Sequence, residues 1–484
     1  MFKKSLSILV FLISLISIFY SCKKDDFETS GSVKLTFSQD TVLFDTVFTS
    51  VGSATKVFTV YNSESKSINI SSIRLATGDN SNFRMNVDGV AGKSISNVEI
   101  GPNDSLFIFV EVTVDPNNMN NPLVISDSIL FETNGNLQYI DLVAWGQDAY
   151  FHFAEPNSPS FPFFSISGNA VWLSDKPHVV YGYGIVDSLA SLTINSGALV
   201  CMHPGAALIV YTGASLHVNG TLASPVTIQG DRLSNDYKDV PGQWDRIWLY
   251  PGSKNSTIKN TIIKNGNIGL QVDTVAGPND STLYLENTIV KTMTLHSLLL
   301  RGSTVSAYNC VFANSGSNTI NILYGGNYKF YQCTMANFWQ NGTRQDPILF
   351  MNNYYTNIAR DLNAVFGNCI LYGNNDQEIG LDSFPQQNKF NFLFDHALLK
   401  VENAFSTSTS FHYVSVLRST FNSNSPGFAD VINNNYKLDS LNSSGIDRGD
   451  MLNVNAFTSV LSTDIDGVLR PQRTQPDLGA YERQ

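Results

Sequence analysis

The sequence IKNTIIKNG at 258–266 returns four more times, with variations, in the second half of the chain. One column of the aligned copies always holds a side-chain amide, and the next column holds threonine or cysteine. The copies begin 22 to 36 residues apart. This period is typical of a solenoid, in which stacked coils bury a core that no single coil buries alone. The other copies are LENTIVKTM at 285–293, AYNCVFANS at 307–315, FYQCTMANF at 330–338 and FGNCILYGN at 366–374.

The amide column predicts a bend between two strands, because asparagine tolerates left-handed backbone and bonds its own main chain. The threonine or cysteine that follows alternates with an apolar position, so it is predicted to face inward. Cys310, Cys333 and Cys369 share this inward column. We therefore interpret them as packing residues, although four cysteines in the mature part of an exported chain also fit disulfide bridges. The amide column consists of Asn260, Asn287, Asn309, Gln332 and Asn368.

Composition predicts an all-β chain of two or three folded units. The 484 residues exceed one typical domain. Charged residues make up only 15%, while β-branched and turn-forming residues are plentiful, which is typical of many short strands. The net charge of −11 argues against a nucleic-acid partner, because phosphate binding needs a basic surface.

The N-terminus predicts export and lipid anchoring. Lys3 and Lys4 precede an apolar run, SILVFLISLISIFY, that ends next to Ser21-Cys22. The arrangement resembles a bacterial lipoprotein signal, and the following KKDDFE resembles the export tag of Bacteroidetes-type surface lipoproteins. The resemblance implies a signal peptide over 1–21, lipidation at Cys22, a tether over 22–32 and an outer-membrane lipoprotein exposed at the cell surface. Phe19 and Tyr20 depart from the usual lipobox, and an ordinary cleaved signal with a chance cysteine is the alternative.

Residues 33–147 predict a β-sandwich. About eight short alternating strands are separated by turns such as Gly101-Pro102-Asn103-Asp104. The segments LTFSQDTVLFDTVF, VFTVYNSESKSINISSI and IGPNDSLFIFVEVTV resemble immunoglobulin-like domains of the ASPM–SPD2–Hydin or choice-of-anchor type. In that family the module is generally a spacer or contact domain.

Residues 171–484 predict a right-handed parallel β-helix, preceded by a proline-containing linker over 148–170. SLTINSGALV at 191–200 and SLHVNGTLAS at 215–224 resemble the first rungs of such helices. The segments SPGFADVINNNYKLDSLNSSGIDRGD and TDIDGVLRPQRTQPDLGAYE resemble the closing segment, here 425–484, of bacterial β-helix proteins of the choice-of-anchor Q type. A second sandwich is the alternative, but it does not explain five copies of one pattern.

Two acidic clusters are candidate cation sites. Asp464 and Asp466, in Asp-Ile-Asp-Gly, fit part of a Ca²⁺ loop, but a third acidic ligand at the usual spacing is missing. A turn whose acids pair with Arg470 or Arg473 is the favoured interpretation. NNDQEIGLD at 374–382 is interpreted as a solvated loop, and no cofactor is expected.

Aromatic side chains on the rungs are candidate glycan-stacking residues, with core packing as the alternative. The residues chosen for stacking are Trp244, Trp248, Tyr324 and Trp339.

The leading hypothesis is a non-catalytic protein that binds glycans or matrix, with a polysaccharide or an extracellular protein as partner. A polysaccharide lyase or glycoside hydrolase acting on the helix face is the alternative. Lyases need a charge neutraliser and a base, and hydrolases need paired carboxylates, yet no such motif is recognisable and catalytic residues remain unassigned. The candidate bases are scattered: Lys264, Lys291, His296, Arg301, Lys329 and Arg344.

Overall fold

A computed structural model describes residues 27–48, 53, 55–113, 123–153, 163–274, 280–384, 389–402, 412–419, 423–439 and 443–483. The chain divides into two compact units, residues 1–148 and 149–484. The fold class is as predicted: a β-sandwich is followed by a parallel β-helix. The signal peptide and Cys22 lie outside the described residues. No described helix has the length and apolar run needed to cross a bilayer.

The first unit is a sandwich of two five-stranded sheets, ordered β1-β3-β8-β5-β6 and β2-β10-β9-β4-β7. Strand β8 shows why it forms, since its alternate residues Leu106, Ile108, Val110 and Val112 are buried while the intervening ones face out. All pairings are antiparallel except β2 with β10. The strands are β1 (Thr36–Phe37), β2 (Thr41–Phe48), β3 (Lys56–Tyr61), β4 (Ile68–Leu75), β5 (Phe83–Val87), β6 (Val90–Gly92), β7 (Ser94–Ile100), β8 (Ser105–Val112), β9 (Leu123–Thr133) and β10 (Asn136–Gln147), with a 3₁₀ turn at Gly78–Asn80.

The last residues of the predicted tether pack on the sandwich. The backbone N–H of Glu28 donates to Ser67 O at 2.8 Å, and Asn134 Nδ2 donates to Glu28 O at 3.0 Å. Asn136 Nδ2 donates to Gly31 O at 3.0 Å. The prediction of a free tether reaching to residue 32 is therefore corrected. From the first described residues, at 27 and 28, hydrogen bonds hold the chain to the sandwich.

The described part of the second unit has three long sheets, named A, B and C, that are parallel throughout. A complete coil contributes one strand to each of them in the order B, C, A. Sheet A comprises β11 (Tyr150–His152), β14 (His178–Val180), β17 (Leu199–Met202), β20 (Val226–Gly230), β23 (Thr261–Lys264), β26 (Ile289–Met293), β29 (Val311–Ser315), β32 (Thr334–Asn337), β37 (Ile370–Gly373), β40 (Leu398–Lys400) and β42 (Leu417–Ser419). Sheet B comprises β12 (Phe163–Ile166), β15 (Tyr183–Val186), β18 (Ala207–Val210), β21 (Trp244–Leu249), β24 (Gly266–Val272), β27 (His296–Arg301), β30 (Ile320–Leu323), β33 (Leu349–Asn352) and β38 (Ile379–Asp382). Sheet C comprises β13 (Asn169–Trp172), β16 (Ser191–Asn195), β19 (Ser215–Asn219), β22 (Ser256–Lys259), β25 (Leu283–Glu286), β28 (Thr304–Tyr308), β31 (Gly326–Tyr331), β36 (Leu362–Gly367), β39 (Phe390–Asp395) and β41 (Tyr413–Val414).

The remaining elements are two hairpins, two short helices and one 3₁₀ turn. They are the hairpin β34 (Tyr354–Tyr355) and β35 (Ile358–Ala359), the hairpin β43 (Phe428–Asp430) and β44 (Asn435–Leu438), α1 (Met451–Asn455), α2 (Thr458–Leu461) and the 3₁₀ turn Asn235–Tyr237.

The predicted linker is partly a coil of the helix. Within 148–170, β11 and β12 are strands, and β13 begins at Asn169. They pair in parallel with β14, β15 and β16. The helix therefore begins before residue 171, because these segments supply edges on which the next coil stacks.

The amide column is a one-residue bend from sheet C to sheet A, as predicted. Its five members have φ between 42° and 53°. His396 and Ser415 extend the column into the following coils with φ of 50° and 49°. Histidine and serine adopt left-handed backbone less readily than asparagine does. These two bends therefore did not stand out in the sequence pattern.

The residue after each bend is buried and donates back across it. In all five copies the hydroxyl or thiol reaches the carbonyl two residues earlier, which explains why threonine and cysteine exchange at this position. The thiols of Cys310, Cys333 and Cys369 are free. The bonds are Thr261 Oγ1 to Lys259 O at 2.8 Å, Thr288 Oγ1 to Glu286 O at 2.9 Å, Cys310 Sγ to Tyr308 O at 3.2 Å, Cys333 Sγ to Tyr331 O at 3.4 Å and Cys369 Sγ to Gly367 O at 3.3 Å.

The closing segment runs along the outer face of sheet A. Tyr436, Ile465 and Ala480 pack with Val311 and Ala336 of that sheet. Further along, Leu438 and Leu478 pack with Ile370 and Leu398. Helices α1 and α2 cover tyrosines on the outer face of sheet C, namely Tyr284, Tyr308 and Tyr331.

Arg470 fixes this segment to the amide column. Its guanidinium is buried and donates to Asn309 Oδ1 at 2.5 Å, to Thr463 O at 3.0 Å and to Ala480 O at 3.0 Å. Glu482 lies 3.5 Å away. Desolvation in this site lowers the pKa of Arg470 to about 10, so the side chain remains charged at neutral pH.

The turn at 463–469 uses its acids for backbone bonds. Asp464 is buried; its Oδ1 accepts from the N–H groups of Asp466 and Val468, and its Oδ2 accepts from Glu482 N. Asp466 pairs with Lys437 at 2.7 Å. Within the described residues, no group of three His, Cys, Asp or Glu side chains is arranged to hold a metal ion. In this turn Lys437, rather than Arg470 or Arg473, pairs with Asp466.

Replacing Cys310 with aspartate is expected to destabilise the helix by several kcal/mol, because a carboxylate would be buried beside a carbonyl. Cys310→Thr is the matched control, since threonine occupies this position in two other coils and retains the donor. Thermal unfolding distinguishes them: a lowered Tm is expected for the aspartate variant alone, and an unchanged Tm would contradict the inward placement.

Replacing Arg470 with methionine is expected to lower the free energy of unfolding by about 3–5 kcal/mol, because Glu482 and several carbonyl groups lose their buried partner. Arg473→Met is the control, since Arg473 is 55% exposed and lies 4.0 Å from Asp447. Urea unfolding measures both variants, and equal stabilities would contradict the role assigned to Arg470.

Candidate functional site

A groove crosses the outer face of sheet B over coils 266–382. It consists of two adjoining cavities of about 390 and 550 Å³, both of which Leu323 lines. The smaller cavity lies at the edge toward sheet C, and the larger lies toward sheet A. The other lining residues are Pro251, Asp273, Thr274, Arg301, Tyr324, Asn352, Tyr354 and Tyr355 in the smaller cavity, and Asn318, Asn321, Gln345, Asp346, Pro347, Phe350, Gln377, Ile379 and Gly380 in the larger.

The floor of the groove is set by strand register. Asn321 of β30 pairs with Phe350 of β33, which pairs with Gly380 of β38. A Cβ at Gly380 would lie 2.9 Å from the Phe350 ring, so glycine leaves room for the ring. These positions alternate with the inward residues Ile322 and Met351, and their side chains therefore face outward.

Two insertions flank the floor. Residues 338–348 connect sheet A to sheet B, and the β34–β35 hairpin extends the connection from sheet B to sheet C. The first insertion is held by Arg344, whose Nη2 donates to Glu378 Oε1 at 2.6 Å and whose Nη1 donates to Glu378 Oε2 at 2.8 Å. Both side chains are at most 3% exposed. Glu378 is therefore a buried structural acid, and the interpretation of 374–382 as a solvated loop is wrong at this residue.

Tyrosines form the wall toward sheet C. Tyr324 is partly buried: the Arg360 guanidinium lies 4.2 Å from its ring centroid, and the Tyr355 ring meets it edge-on at 6.4 Å. Tyr355 is 70% exposed. Tyr354 Oη donates to Asp382 Oδ2 at 2.6 Å, and this hydrogen bond raises the pKa of Tyr354 above its usual value. The contacts fix two rings and leave the third open to a ligand.

An ion-pair network lies at the upstream end. Arg301 donates twice to Asp273, at 2.6 and 2.5 Å. Trp248 Nε1 donates to Asp273 Oδ2 at 2.7 Å, and Gln271 Nε2 donates to the same oxygen at 3.3 Å. The carboxylate of Asp273 thus accepts four hydrogen bonds, an arrangement that orients Trp248 and Arg301.

Amides dominate the wall toward sheet A. Asn318 Nδ2 donates to Pro347 O at 2.8 Å, and Gln377 Nε2 donates to Ile379 O at 2.7 Å. Asp346 accepts from Ser317 Oγ at 2.6 Å and is exposed. Asn321 Oδ1 is buried without a hydrogen-bond partner. The groove therefore contains an acceptor that a ligand hydroxyl would satisfy.

The predicted stacking residues do not form one surface. Trp244 is completely buried and its Nε1 donates to Lys264 O at 2.9 Å, so its assignment to stacking was wrong. Trp339 lies outside the groove lining and packs over Gly316. Tyr324 lines the groove, and Trp248 is tied to it through Asp273.

The candidate bases are dispersed over three sheets. Lys264 and Lys291 lie on sheet A, where burial lowers the pKa of each. Lys329 lies on sheet C. His296 lies on sheet B; burial lowers its pKa, and its Nδ1 bonds Asn318 O at 2.9 Å. Of the candidate bases predicted from the sequence, Arg301 alone contributes to the described groove lining.

Sequence reasoning missed Asp273, Asn321 and the hairpin wall. One signal was present: copies four and five of the repeat begin 36 residues apart, at 330 and 366, whereas the other intervals are 22 to 27 residues. The extra residues include the loop at 338–348 and the β34–β35 hairpin. The longest interval in the repeat thus marked the place where the coil carries additional walls.

Comparison with known proteins assigns no family. No protein-family model matches the chain, and no curated protein matches it. Among solved structures, a family 123 glycoside hydrolase from Clostridium perfringens is 12% identical over 22% of this chain and 23% of its own, with a TM-score of 0.17. The periplasmic chaperone SfaE is 14% identical over 27% and 66%, with a TM-score of 0.16. A GH87 α-1,3-glucanase from Streptomyces thermodiastaticus strain HF3-3 is 10% identical over 74% and 66%, with a TM-score of 0.22.

Proposed function

We propose that this chain is a surface lipoprotein of the outer membrane whose sheet B groove binds an extended glycan without cleaving it. The observation that carries the proposal is the groove between tyrosines and amides. Aromatic rings stack on the apolar faces of sugar rings, and amides hydrogen-bond their hydroxyl groups, so the two walls supply complementary contacts.

The groove suits a chain lying along the helix axis. Apart from Pro251, which follows β21, the lining residues lie in or next to five neighbouring strands, namely β24, β27, β30, β33 and β38. Strands in a sheet lie about 4.8 Å apart, so the floor is about 19 Å long. A short oligosaccharide fits this length.

The acids of the groove favour binding over cleavage. Asp273 is committed to Arg301, Trp248 and Gln271, and Asp382 to Tyr354. A hydrolase needs one carboxyl that donates a proton and another that acts as base or nucleophile. The commitments of Asp273 and Asp382 support a binding site, with the sandwich as spacer and the β-helix of choice-of-anchor Q type as the binding body.

Tyr324→Ala and Tyr355→Ala are each expected to weaken glycan binding about tenfold, or about 1.4 kcal/mol, because each removes an aromatic contact surface. Tyr139→Ala is the control, since Tyr139 is equally aromatic, 61% exposed and located on the sandwich. Isothermal titration of the purified full chain in detergent against a polysaccharide panel measures affinity. Reducing-end and unsaturated-product assays run in parallel. Turnover would contradict a non-catalytic role, and the absence of both binding and turnover would contradict the glycan assignment.

Cys22→Ala is expected to abolish incorporation of labelled lipid and to release the chain from the membrane fraction, because the thioether anchor is lost. Ser21→Ala, which keeps a small residue before the cysteine, is the control. Unchanged lipid labelling in the Cys22 variant would contradict the anchor.

A further inference from the structure

The charges in the groove identify the class of glycan it takes. Among the described lining residues, three are charged: Asp273, Arg301 and Asp346. Asp273 and Arg301 neutralise each other in a bidentate pair, and Asp273 is 4% exposed in that pair. The charge that remains on the lining is the exposed carboxylate of Asp346.

No arginine is among the described residues that line the larger cavity, where Asp346 lies. Arg344 is buried in its pair with Glu378. Arg360 is exposed beside the smaller cavity, away from Asp346, and its guanidinium lies over the Tyr324 ring. A uronate carboxylate is recognised by a guanidinium or ammonium group that is free to form charge-assisted hydrogen bonds. The lining of the larger cavity presents amides instead of such a group, including Asn318, Gln345 and Gln377.

The unpartnered side-chain oxygen of Asn321 also favours uncharged sugars over uronates. Asn321 Oδ1 lies buried on the groove floor without a donor. A sugar hydroxyl donates a hydrogen bond to such an oxygen, whereas a carboxylate has no proton to donate and would add repulsion. Both the residual charge and the unmet acceptor therefore favour hydroxyl-rich, uncharged sugar units.

We infer that the groove selects neutral hexose or pentose polymers and rejects uronate-containing chains, with Asp346 as a specificity-determining residue. The inference rests on the proposed glycan-binding function and adds the substrate class. The mechanism is electrostatic exclusion by an uncompensated carboxylate combined with hydroxyl recognition by amides.

The test compares neutral and acidic oligosaccharides of equal length on the full chain in detergent. Gluco-, manno- and xylo-oligosaccharides are titrated beside oligogalacturonate and oligoalginate at low and high salt. Neutral ligands are expected to bind at least about tenfold more tightly, equivalent to about 1.4 kcal/mol. Tighter binding of the acidic ligands would overturn this inference and leave the proposed function standing, whereas binding of neither class would overturn both.

Asp346→Lys tests the mechanism. The Asp346 side chain is exposed and accepts a hydrogen bond from Ser317 Oγ, so a lysine side chain fits at this position on the surface. The variant is expected to gain uronate binding that disappears at high salt, because screening weakens an exposed charge contact. Asp40→Lys, an exposed charge reversal on the sandwich, is the matched control. Failure of Asp346→Lys to gain uronate binding would overturn electrostatic exclusion.

Discussion

The one-residue left-handed bend between sheets C and A is the constraint on which the second unit depends. A single residue turns the chain, so each strand of sheet A starts at the same point in every coil. The next residue then points inward and returns a hydrogen bond to the carbonyl before the bend. Because left-handed backbone is unfavourable for most side chains, asparagine recurs and the repeat becomes visible in the sequence.

The same column organises the closing segment. Asn309 accepts from Arg470, and Asn368 Oδ1 accepts from Asp450 N while its Nδ2 donates to Asp450 O. The amides thus hold the C-terminal chain against the helix as well as stabilising the bends. With sheet A covered and sheet C partly covered by α1 and α2, the described groove occupies the outer face of sheet B.

The sequence was most informative where the structure repeats. The bend column and the inward thiols followed from five aligned copies, and the sandwich followed from period-two alternation in strands such as β8. Trp244 was predicted to be a stacking residue, as was Trp248 of the same strand. In β21, however, both Asp245 and Arg246 are partly exposed, which interrupts the alternation and leaves Trp244 inside and Trp248 outside.

The groove itself was beyond pattern reasoning because its parts do not repeat. Asp273, Arg301 and Tyr354 belong to different coils and meet only when register is known. Glu378 illustrates the same limit: its neighbours in sequence are polar, yet Arg344, 34 residues earlier, pairs with it in the interior. The candidate site on this solenoid is built from departures from the repeat, whereas the repeat supplies the scaffold.

Hydrogen–deuterium exchange with and without a neutral oligosaccharide tests most directly whether sheet B is the binding face. Slowed exchange is expected in residues 318–323, 345–359 and 377–382, since these backbone segments line the groove and its walls. Slowed exchange confined to the sandwich, or to the outer strands of sheet C, would contradict it.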